Sequence, residues 1–332
     1  MHNDNVLYVE DPQKSEYARR IYCDAVTALS ENGFWEYEKN PDAPLLAHTL
    51  GAPLNLKITH NPTLSHEYVG CDSLCEIFRL RINALPNLPF FGLLFIPHNA
   101  GNPAPLCIAC HGYLGTPELM YGMHGKNGYS GLIEKLLKRG FAVFSPQLLM
   151  WNCGFNPAKP HYETQYNRPE LDRRFRKNDA AIASLEVFCI LQSITALSNI
   201  RTLDLTNLSA CGMSYGAYLT MRAMALDARI QQGFFMSCFD GGDDIRFPEW
   251  QPQPCFALLR DGEIAGMCAP RPVTVEVGKT DDIFPPTGAV REAETAKSAY
   301  LRADAAENFH LSIWHGGHIV NPDTNCAELL KG

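Results

Sequence analysis

Residues 208–216, Leu-Ser-Ala-Cys-Gly-Met-Ser-Tyr-Gly, decide the fold, because an apolar run ends there in the pattern Gly-x-Ser-x-Gly centred on Ser214. The run predicts a buried strand, and the residues from Ala217 onward predict an amphipathic helix. On a tight strand-to-helix turn a serine hydroxyl stands exposed at the end of a sheet, and side chains in place of Gly212 and Gly216 would collide with neighbouring backbone. We therefore expect Ser214 to be a nucleophile; the alternative is a glycine-rich turn that carries an ordinary serine.

Short apolar runs alternate with amphipathic segments on both sides of this stretch. The runs predict strands, and the segments between them predict helices. Continuous apolar strands are typical of a parallel sheet that helices cover on both faces. The predicted strands cover residues 106–110, 141–144, 208–211, 234–238, 273–277 and 311–314, and the predicted helices cover residues 132–137, 178–197 and 292–300, with a further helix from Ala217.

An antiparallel start precedes this alternation. Residues 78–82 alternate between apolar side chains and arginine, which is typical of a half-buried strand. A turn that contains proline and a second apolar run at 90–96 follow, so the two runs predict an antiparallel pair. The predicted fold class is α/β, a mostly parallel doubly wound sheet with an antiparallel N-terminal strand pair.

Residues 1–60 differ in pattern from the rest of the chain. Their apolar residues recur at helical spacing until Pro41 and Pro53 interrupt the pattern. We expect a short helical N-terminal extension over residues 1–60 and one catalytic domain over residues 61–332. The helical spacing is that of Tyr17, Ile21, Ala25 and Leu29.

The composition of the 332 residues excludes several classes of protein. With 46% hydrophobic and 19% charged residues, the chain is neither disordered nor fibrous. Its 36 acidic and 28 basic residues give a net charge of −8, whereas binding of nucleic acid through phosphate contacts needs a basic excess. The apolar runs fall short of the roughly 18 residues of a membrane span. Residues 1–5 have neither a basic nor an apolar signal region, so we expect a cytoplasmic protein.

Cysteine and histidine spacings do not favour a metal or cofactor site. The C-x-x-C spacing at 107–110 falls inside a predicted buried strand and has no second pair. His315 and His318 have H-x-x-H spacing, but they lie in a glycine loop without neighbouring ligands. We therefore expect no metal and no cofactor. Of the twelve cysteines, five lie in apolar runs, where we expect reduced, buried thiols: Cys107, Cys110, Cys189, Cys211 and Cys238.

A serine nucleophile requires a base, and an acidic group must orient that base. On a sheet of this kind the chain order is serine, acid, histidine. The strand predicted at 273–277 is followed by Gly-Lys-Thr-Asp-Asp, so Asp281 is the favoured acid and Asp282 is an alternative. Asp240, which follows the preceding strand, is a third candidate.

Three histidines follow these aspartates, and one of them is the predicted base. His310 begins the last predicted strand, where a structural role is more common. The glycines at 316–317 end that strand and free the loop to turn back over the sheet edge. This favours His318 as the base, with His315 as the alternative.

Two backbone N–H groups are candidates for binding an oxyanion. One belongs to Tyr215, directly after the nucleophile, and the other to Tyr113, in the loop after the strand at 106–110. His111 precedes Ser214 in the chain, so we expect it to orient this loop rather than act as the base. The side chains of Tyr113 and Tyr215 are bulky enough to narrow an acyl pocket.

The long segment 147–171 is expected to form part of the pocket wall. It follows a strand near the carboxyl edge of the sheet, where ligands of such sheets bind. Its aromatic residues either contact the substrate or hold the segment against the core. The predicted substrate contacts are Trp151, Tyr162 and Tyr166, and Phe155 belongs to the same aromatic set.

From about residue 70 to residue 332 the sequence resembles α/β-hydrolases of the acetyl xylan esterase and dienelactone hydrolase-like group. The resemblance implies Ser214, Asp281 and His318 as a catalytic triad, with the Tyr113 and Tyr215 amides as the oxyanion hole. Dienelactone hydrolases carry a cysteine nucleophile, so the serine here favours ester hydrolysis. The motifs that carry the resemblance are residues 111–115, 212–216, 269–272, 278–281 with Pro285 and Pro286, and Gly317 with His318.

The resemblance further implies hydrolysis of a small acyl ester, with acetyl as the acyl group and an acetylated sugar as the candidate substrate. A prolyl oligopeptidase-like peptidase shares the motif and the triad order. Its usual N-terminal propeller, however, does not fit in the roughly 100 residues before the first parallel strand. A hydrolase-like scaffold that binds without catalysis is the third hypothesis.

Overall fold

The strands form one mixed sheet in the computed structural model, which describes residues 12–113, 115–123, 129–149, 168–239, 259–323 and 330. Within these ranges the strands are β1 Thr63–Cys71, β2 Cys75–Leu85, β3 Leu88–Pro97, β4 Ala104–Cys110, β5 Ala142–Pro146, β6 Leu203–Met213, β7 Ile230–Met236, β8 Val273–Gly278 and β9 Phe309–Trp314.

The strand order in the sheet is β1-β2-β3-β5-β4-β6-β7-β8-β9. Strands β1, β2 and β3 pair antiparallel, and β3 is also antiparallel to β5. Every pairing from β5 through β9 is parallel. The predicted fold class is therefore confirmed, and the predicted antiparallel pair consists of β2 and β3.

Strand β1 is an addition that the sequence pattern does not predict. Most of its side chains are exposed, and its sequence does not alternate between apolar and polar residues as a half-buried strand does. It lies at the edge of the sheet and pairs with β2. Edge strands with one solvated side need few apolar residues, which is why pattern analysis missed this one.

The helices lie between the strands and at the N-terminus of the described chain. None of those described combines the length and apolar character needed to cross a bilayer. They are α1 Pro12–Asn32, α2 Leu45–Leu50, α3 Pro117–Tyr121, α4 Leu132–Lys138, α5 Arg168–Arg176, α6 Ile182–Leu197, α7 Tyr215–Leu226, α8 Asp261–Met267 and α9 Pro286–Arg302.

The helix predicted over 178–197 begins later than expected, at Ile182, and α5 precedes it as a separate helix. Asp179 lies between the two helices with a φ of 59°, a left-handed conformation that interrupts helical geometry. The carboxylate of Asp172 accepts a hydrogen bond from the Ile182 N–H at 3.0 Å. This bond satisfies one of the N–H groups that the start of α6 leaves without a helical partner.

Apolar side chains cover both faces of the sheet. Cys107 and Ile108 are neighbours on β4, and they belong to hydrophobic clusters on opposite faces. The sheet is thus buried on both sides, as its continuous apolar strands predict. Five cysteines of the apolar runs are buried thiols that form no disulfide: Cys107, Cys110, Cys189, Cys211 and Cys238.

Helix α1 packs against β3 and α5. Tyr22 meets Phe90 edge to face, with ring centroids 5.4 Å apart, and Phe34 stacks on Phe175 at 6.4 Å. The helix predicted near the N-terminus is present, and it shares one hydrophobic cluster with the sheet. The division of the chain at residue 60 stays a prediction.

Candidate active site

Ser214 lies on a sharp turn between β6 and α7, with φ 56° and ψ −122°. Its N–H donates to the Met236 carbonyl at 2.7 Å, and its own carbonyl accepts from the Tyr218 N–H at 3.0 Å. A non-glycine residue with positive φ costs about 1–3 kcal/mol and persists only where the surrounding structure enforces it. Here the strand end and the helix start hold the turn.

The two glycines of the motif allow close backbone contacts around this turn. A Cβ at Gly212 would lie 2.5 Å from the Gly216 carbonyl carbon, and a Cβ at Gly216 would lie 2.2 Å from the Cys110 carbonyl oxygen. Neither space admits a side chain, because the blocking atoms belong to the backbone. This is the steric reason for the pattern that the sequence predicts.

His318 connects Ser214 to Asp281. Its Nε2 lies 3.0 Å from the Ser214 Oγ, and its Nδ1 lies 2.8 Å from the Asp281 Oδ2. The Phe284 ring stacks on the imidazole with centroids 5.6 Å apart. The structure therefore brings together the three residues that the sequence favours as nucleophile, acid and base. The sequence does not predict this contact of Phe284, because it joins two loops that are distant in the chain.

The surroundings of Asp281 keep its carboxyl group ionised. Its side chain is 0% exposed, and its Oδ1 accepts from the N–H groups of Ile283 and Phe284, each at 2.9 Å. Burial on its own raises the pKa of this carboxyl, but the His318 hydrogen bond, these two amides and the nearby imidazole charge together lower the pKa below its ordinary value. An ionised carboxylate only accepts hydrogen bonds, so the Nδ1 of His318 carries the proton and its Nε2 accepts from Ser214.

Three of the four alternative acids and bases lie within the described residues. Asp282 is exposed although it is adjacent to the acid, and Asp240 lies outside the described residues. His310 and His315 are both exposed, and only His318 reaches Ser214. The geometry therefore distinguishes among candidates that sequence spacing leaves open.

The loop that carries His318 is fixed to the loop that carries Asp281. The Thr280 N–H donates to the Gly316 carbonyl at 2.9 Å, and the Lys279 N–H donates to the Trp314 carbonyl at 2.8 Å. A Cβ at Gly278 would lie 2.4 Å from the Gly317 carbonyl oxygen, so this glycine permits the two loops to touch. The acid and base are thus held in register by backbone bonds.

The loop after β4 lies directly against the serine. A Cβ at Gly112 would be 3.3 Å from the Ser214 Cβ. The Gly112 N–H donates to the Tyr129 hydroxyl at 2.9 Å, and the Gly112 carbonyl accepts from the Gly115 N–H at 3.0 Å. The Gly112 C=O and the Tyr113 N–H belong to one trans peptide and point in opposite directions, so the bond to this carbonyl also determines the direction of the Tyr113 N–H.

His111 holds the same carbonyl from within the protein. Its Nδ1 lies 2.9 Å from the Gly112 carbonyl, so this nitrogen donates, and its Nε2 accepts from the Leu148 N–H at 3.2 Å. Complete burial lowers the pKa of His111 to about 4. The neutral ring therefore links the loop after β4 to the residues after β5, in the orienting position that the sequence predicts.

The protein is similar in structure to esterases that share little of its sequence. No family model and no curated protein matches the sequence. A glucuronoyl esterase from Solibacter usitatus has 13% identity and a TM-score of 0.61, over 97% of this chain and 93% of that chain. Acetyl xylan esterase 1 from Thermoanaerobacterium sp. JW/SL YS485 has 15% identity and a TM-score of 0.56, over 89% of this chain and 97% of that chain.

Methylesterase BT1017 has 19% identity and a TM-score of 0.60, over 97% of this chain and 64% of that chain. These similarities, together with the sheet order, decide the architecture. The chain has the α/β-hydrolase fold.

Within this fold the Tyr215 side chain lies in the core. The ring is fully buried, the Arg168 guanidinium lies over it at 4.9 Å, and Tyr218 stacks on it at 5.9 Å. The hydroxyl donates to Glu186. The sequence does not show the direction of this ring. The start of α7 directs it into the core, so it does not narrow an acyl pocket, while the Tyr215 backbone N–H stays at the turn that carries Ser214.

The predicted aromatic substrate contacts, Trp151, Tyr162 and Tyr166, lie outside the described residues, as does Phe155. On either side of them, Leu149 and Arg168 share one partner. The Leu149 N–H donates to Glu186, and Arg168 forms a buried ion pair with Glu186 at 3.0 Å. Within the described ranges, no three His, Cys, Asp or Glu side chains are grouped to hold a metal ion.

Proposed function

We propose that the protein is a serine esterase that hydrolyses a small-molecule carboxylic ester through an acyl-enzyme on Ser214. One observation carries the proposal: His318 bridges the Ser214 Oγ at 3.0 Å and the Asp281 carboxylate at 2.8 Å. Each group in this arrangement has the donor or acceptor that nucleophilic catalysis requires.

In the first half-reaction the Ser214 Oγ attacks the ester carbonyl carbon while its proton moves to the Nε2 of His318. The charged imidazole is stabilised by Asp281, whose lowered pKa keeps the carboxylate ionised. The carbonyl oxygen becomes an oxyanion, which the N–H groups of Tyr113 and Tyr215 are proposed to bind. The tetrahedral intermediate collapses as the C–O bond breaks, and the leaving alcohol takes the proton from Nε2.

In the second half-reaction water replaces the alcohol. His318 removes a proton from the water as its oxygen attacks the acyl carbon, and the same proton then passes to the Ser214 Oγ as the acid leaves. The same two amides meet the second oxyanion. The cycle consumes one ester and one water, and it releases one alcohol and one acid.

The proposed substrate is an ester of a carbohydrate, with acetyl as the acyl group. The support comes from the sequence resemblance and from the structural neighbours, which are named as esterases and include an acetyl xylan esterase. A glucuronoyl esterase and a methylesterase have higher TM-scores, 0.61 and 0.60 against 0.56, so the acyl group itself requires an experiment.

An acyl-chain series tests this specificity. With p-nitrophenyl esters from acetyl to octanoyl, we expect kcat/KM to fall as the chain lengthens. A permissive pocket would instead gain about 1 to 3 kcal/mol for each methylene that fits. A value for octanoyl that equals or exceeds the value for acetyl refutes the acetyl proposal and favours a lipase-like or thioesterase role. Acetylated and methyl-esterified sugars, tested in parallel, identify the side of the ester on which the sugar lies.

An active-site probe separates the esterase from the non-catalytic scaffold. A fluorophosphonate should label the wild-type protein at Ser214 and leave Ser214→Ala unlabelled, since only a serine with an activated hydroxyl reacts rapidly. Folded wild-type protein that stays unlabelled would contradict the enzyme hypothesis. Cleavage of proline-containing peptides without cleavage of esters would instead favour the peptidase.

A further inference from the structure

Arg19, on the N-terminal helix α1, forms buried polar contacts with two elements that adjoin the loop lying against Ser214. Its Nη2 donates to the Glu118 Oε2 at 2.8 Å, and its Nε donates to the Gln147 Oε1 at 3.3 Å. The Arg19 and Glu118 side chains are 7% and 4% exposed. A charged side chain at this depth lies within the core and not on a solvated helix face.

Both partners of Arg19 are joined to the same loop. Glu118 lies on α3. The helix begins directly after Thr116, whose hydroxyl caps it by accepting a hydrogen bond from the Leu119 N–H at 3.1 Å. Gln147 donates to the Leu148 carbonyl at 3.0 Å, and the Leu148 N–H donates to His111. Arg19 therefore holds the end of the loop through α3 and its beginning through His111.

These bonds form a series from Arg19 through Gln147 and Leu148 to His111. The last bond of the series, from His111, determines the orientation of the peptide between Gly112 and Tyr113. His111 donates to the Gly112 carbonyl, which belongs to the same peptide unit as the Tyr113 N–H. A rotation of that peptide moves the N–H away from the position of an oxyanion. Donors that act on the oxyanion must be oriented before the reaction begins, because reorientation during the reaction costs free energy.

The charge of Glu118 depends on Arg19. Burial raises the pKa of this carboxyl, but the Arg19 guanidinium, hydrogen bonds with its own backbone N–H and the Thr116 hydroxyl, and the charge of Arg79 together lower it to about 2. The pair is thus ionised at neutral pH. Removal of one member of a buried pair leaves the other charge uncompensated, which destabilises its surroundings.

We propose that Arg19 is a positioning residue for the oxyanion hole, so that helix α1 belongs to the catalytic unit although it contributes no reacting group. The proposal rests on the proposed function, because it assigns the Tyr113 N–H to the oxyanion. The proposal assigns helix α1 a role in catalysis. Neither the sequence pattern of the helix nor the contacts among Ser214, Asp281 and His318 indicate that role.

The proposal predicts a change in kcat with little change in KM. The bond between the Tyr113 N–H and the oxyanion exists only in the transition state, so a displaced donor leaves ground-state binding unaltered. Complete loss of one oxyanion donor costs ~10²–10³ in kcat, and we expect a displaced donor to cost about tenfold.

The test compares Arg19→Gln with Arg271→Gln. Arg271 is a half-buried arginine that donates to the Asp227, Ile230 and Cys268 carbonyls near the starts of β7 and β8, at the opposite sheet edge. We expect the thermal midpoint to fall in both variants and kcat to fall only in Arg19→Gln. An equal fall of kcat in both, or an unchanged kcat in Arg19→Gln, overturns the proposal.

A second variant keeps the test valid if Arg19→Gln does not fold. Gln147→Leu leaves the Arg19–Glu118 ion pair in place and removes the link to Leu148, so kcat should again fall about tenfold. If the two side chains act in series, the double variant Arg19→Gln/Gln147→Leu should lose no more kcat than the worse single variant. If the kcat loss of the double variant equals the product of the two single losses, the two side chains act independently and the proposed series is refuted.

The rate of Ser214 labelling by a fluorophosphonate provides a readout that does not depend on the identity of the ester. This reaction also places a developing negative oxygen in the oxyanion hole. Slower labelling of Arg19→Gln than of Arg271→Gln supports the proposal, even if the wild-type protein hydrolyses no ester and the proposed function fails. Equal labelling rates overturn it, and a wild-type protein that is not labelled refutes both.

Discussion

Replacing Asp281 with asparagine changes one atom and reverses the hydrogen bond on which the proposed base depends. The Oδ1 of Asp281 accepts from two backbone N–H groups, those of Ile283 and Phe284, at 2.9 Å each. Because those positions accommodate only an acceptor, the amide oxygen of the substituted side chain must stay there and its NH₂ must face the Nδ1 of His318. The Nδ1 then accepts, and the proton moves to Nε2, where it points at the Ser214 Oγ.

In that tautomer His318 has no lone pair with which to remove the serine proton. We expect kcat to fall about 10⁴-fold, equivalent to about 5 kcal/mol of transition-state stabilisation. Folding should survive, because the side chain keeps its shape and both backbone bonds. Asp282 is exposed, so Asp282→Asn should leave kcat within about twofold of wild type.

The assay is steady-state hydrolysis of p-nitrophenyl acetate by the wild-type protein and the two variants, with thermal unfolding followed by circular dichroism. A folded Asp281→Asn variant that retains more than about a tenth of wild-type kcat would refute the tautomer argument. If Asp282→Asn were the more damaging change, the acid assignment would move by one residue.

Three further changes test the turn that carries Ser214 and the loop after β4 that lies beside it. Ser214→Gly should abolish ester hydrolysis and unfold at a higher temperature than Ser214→Ala, because glycine adopts the φ of 56° without strain; equal midpoints would contradict the strain. Gly216→Ala should lose activity and folded yield, since its Cβ would lie 2.2 Å from the Cys110 carbonyl oxygen. The control Gly101→Ala should retain both, because the nearest atom to its Cβ, the Pro103 carbonyl oxygen, would be 3.4 Å away. Folding lowers the pKa of His111 from 6.5 to about 4. Between these two pH values the imidazole therefore binds a proton in the unfolded chain and none in the folded chain. Stability should fall by up to about 3 kcal/mol as pH falls from 6.5 to 4, and His111→Gln should lose this part of the pH dependence of urea unfolding.

The sequence by itself determined the fold class and the order of the chemical groups along the chain. Apolar runs fix which residues enter a sheet that is covered on both faces, and Gly212 and Gly216 mark the turn at Ser214. These are local signals, since a strand, a helix start and a tight turn depend on residues within a few positions of one another. Strand β1 escaped prediction because its solvated edge position demands no apolar pattern.

Only the tertiary structure decided which candidates meet in space. Asp281 and Asp282 are adjacent in sequence, but one is buried against His318 and the other is exposed, a difference that depends on how the loop after β8 turns. The Tyr215 ring points into the core toward Glu186, and Arg19 meets Glu118 across 99 positions of sequence. Such partners are brought together by the packing of distant elements, so no local pattern predicts them. In the sequence alone, Arg19 and Glu118 are each compatible with a solvated surface, and only the fold shows that the two charges are paired and buried.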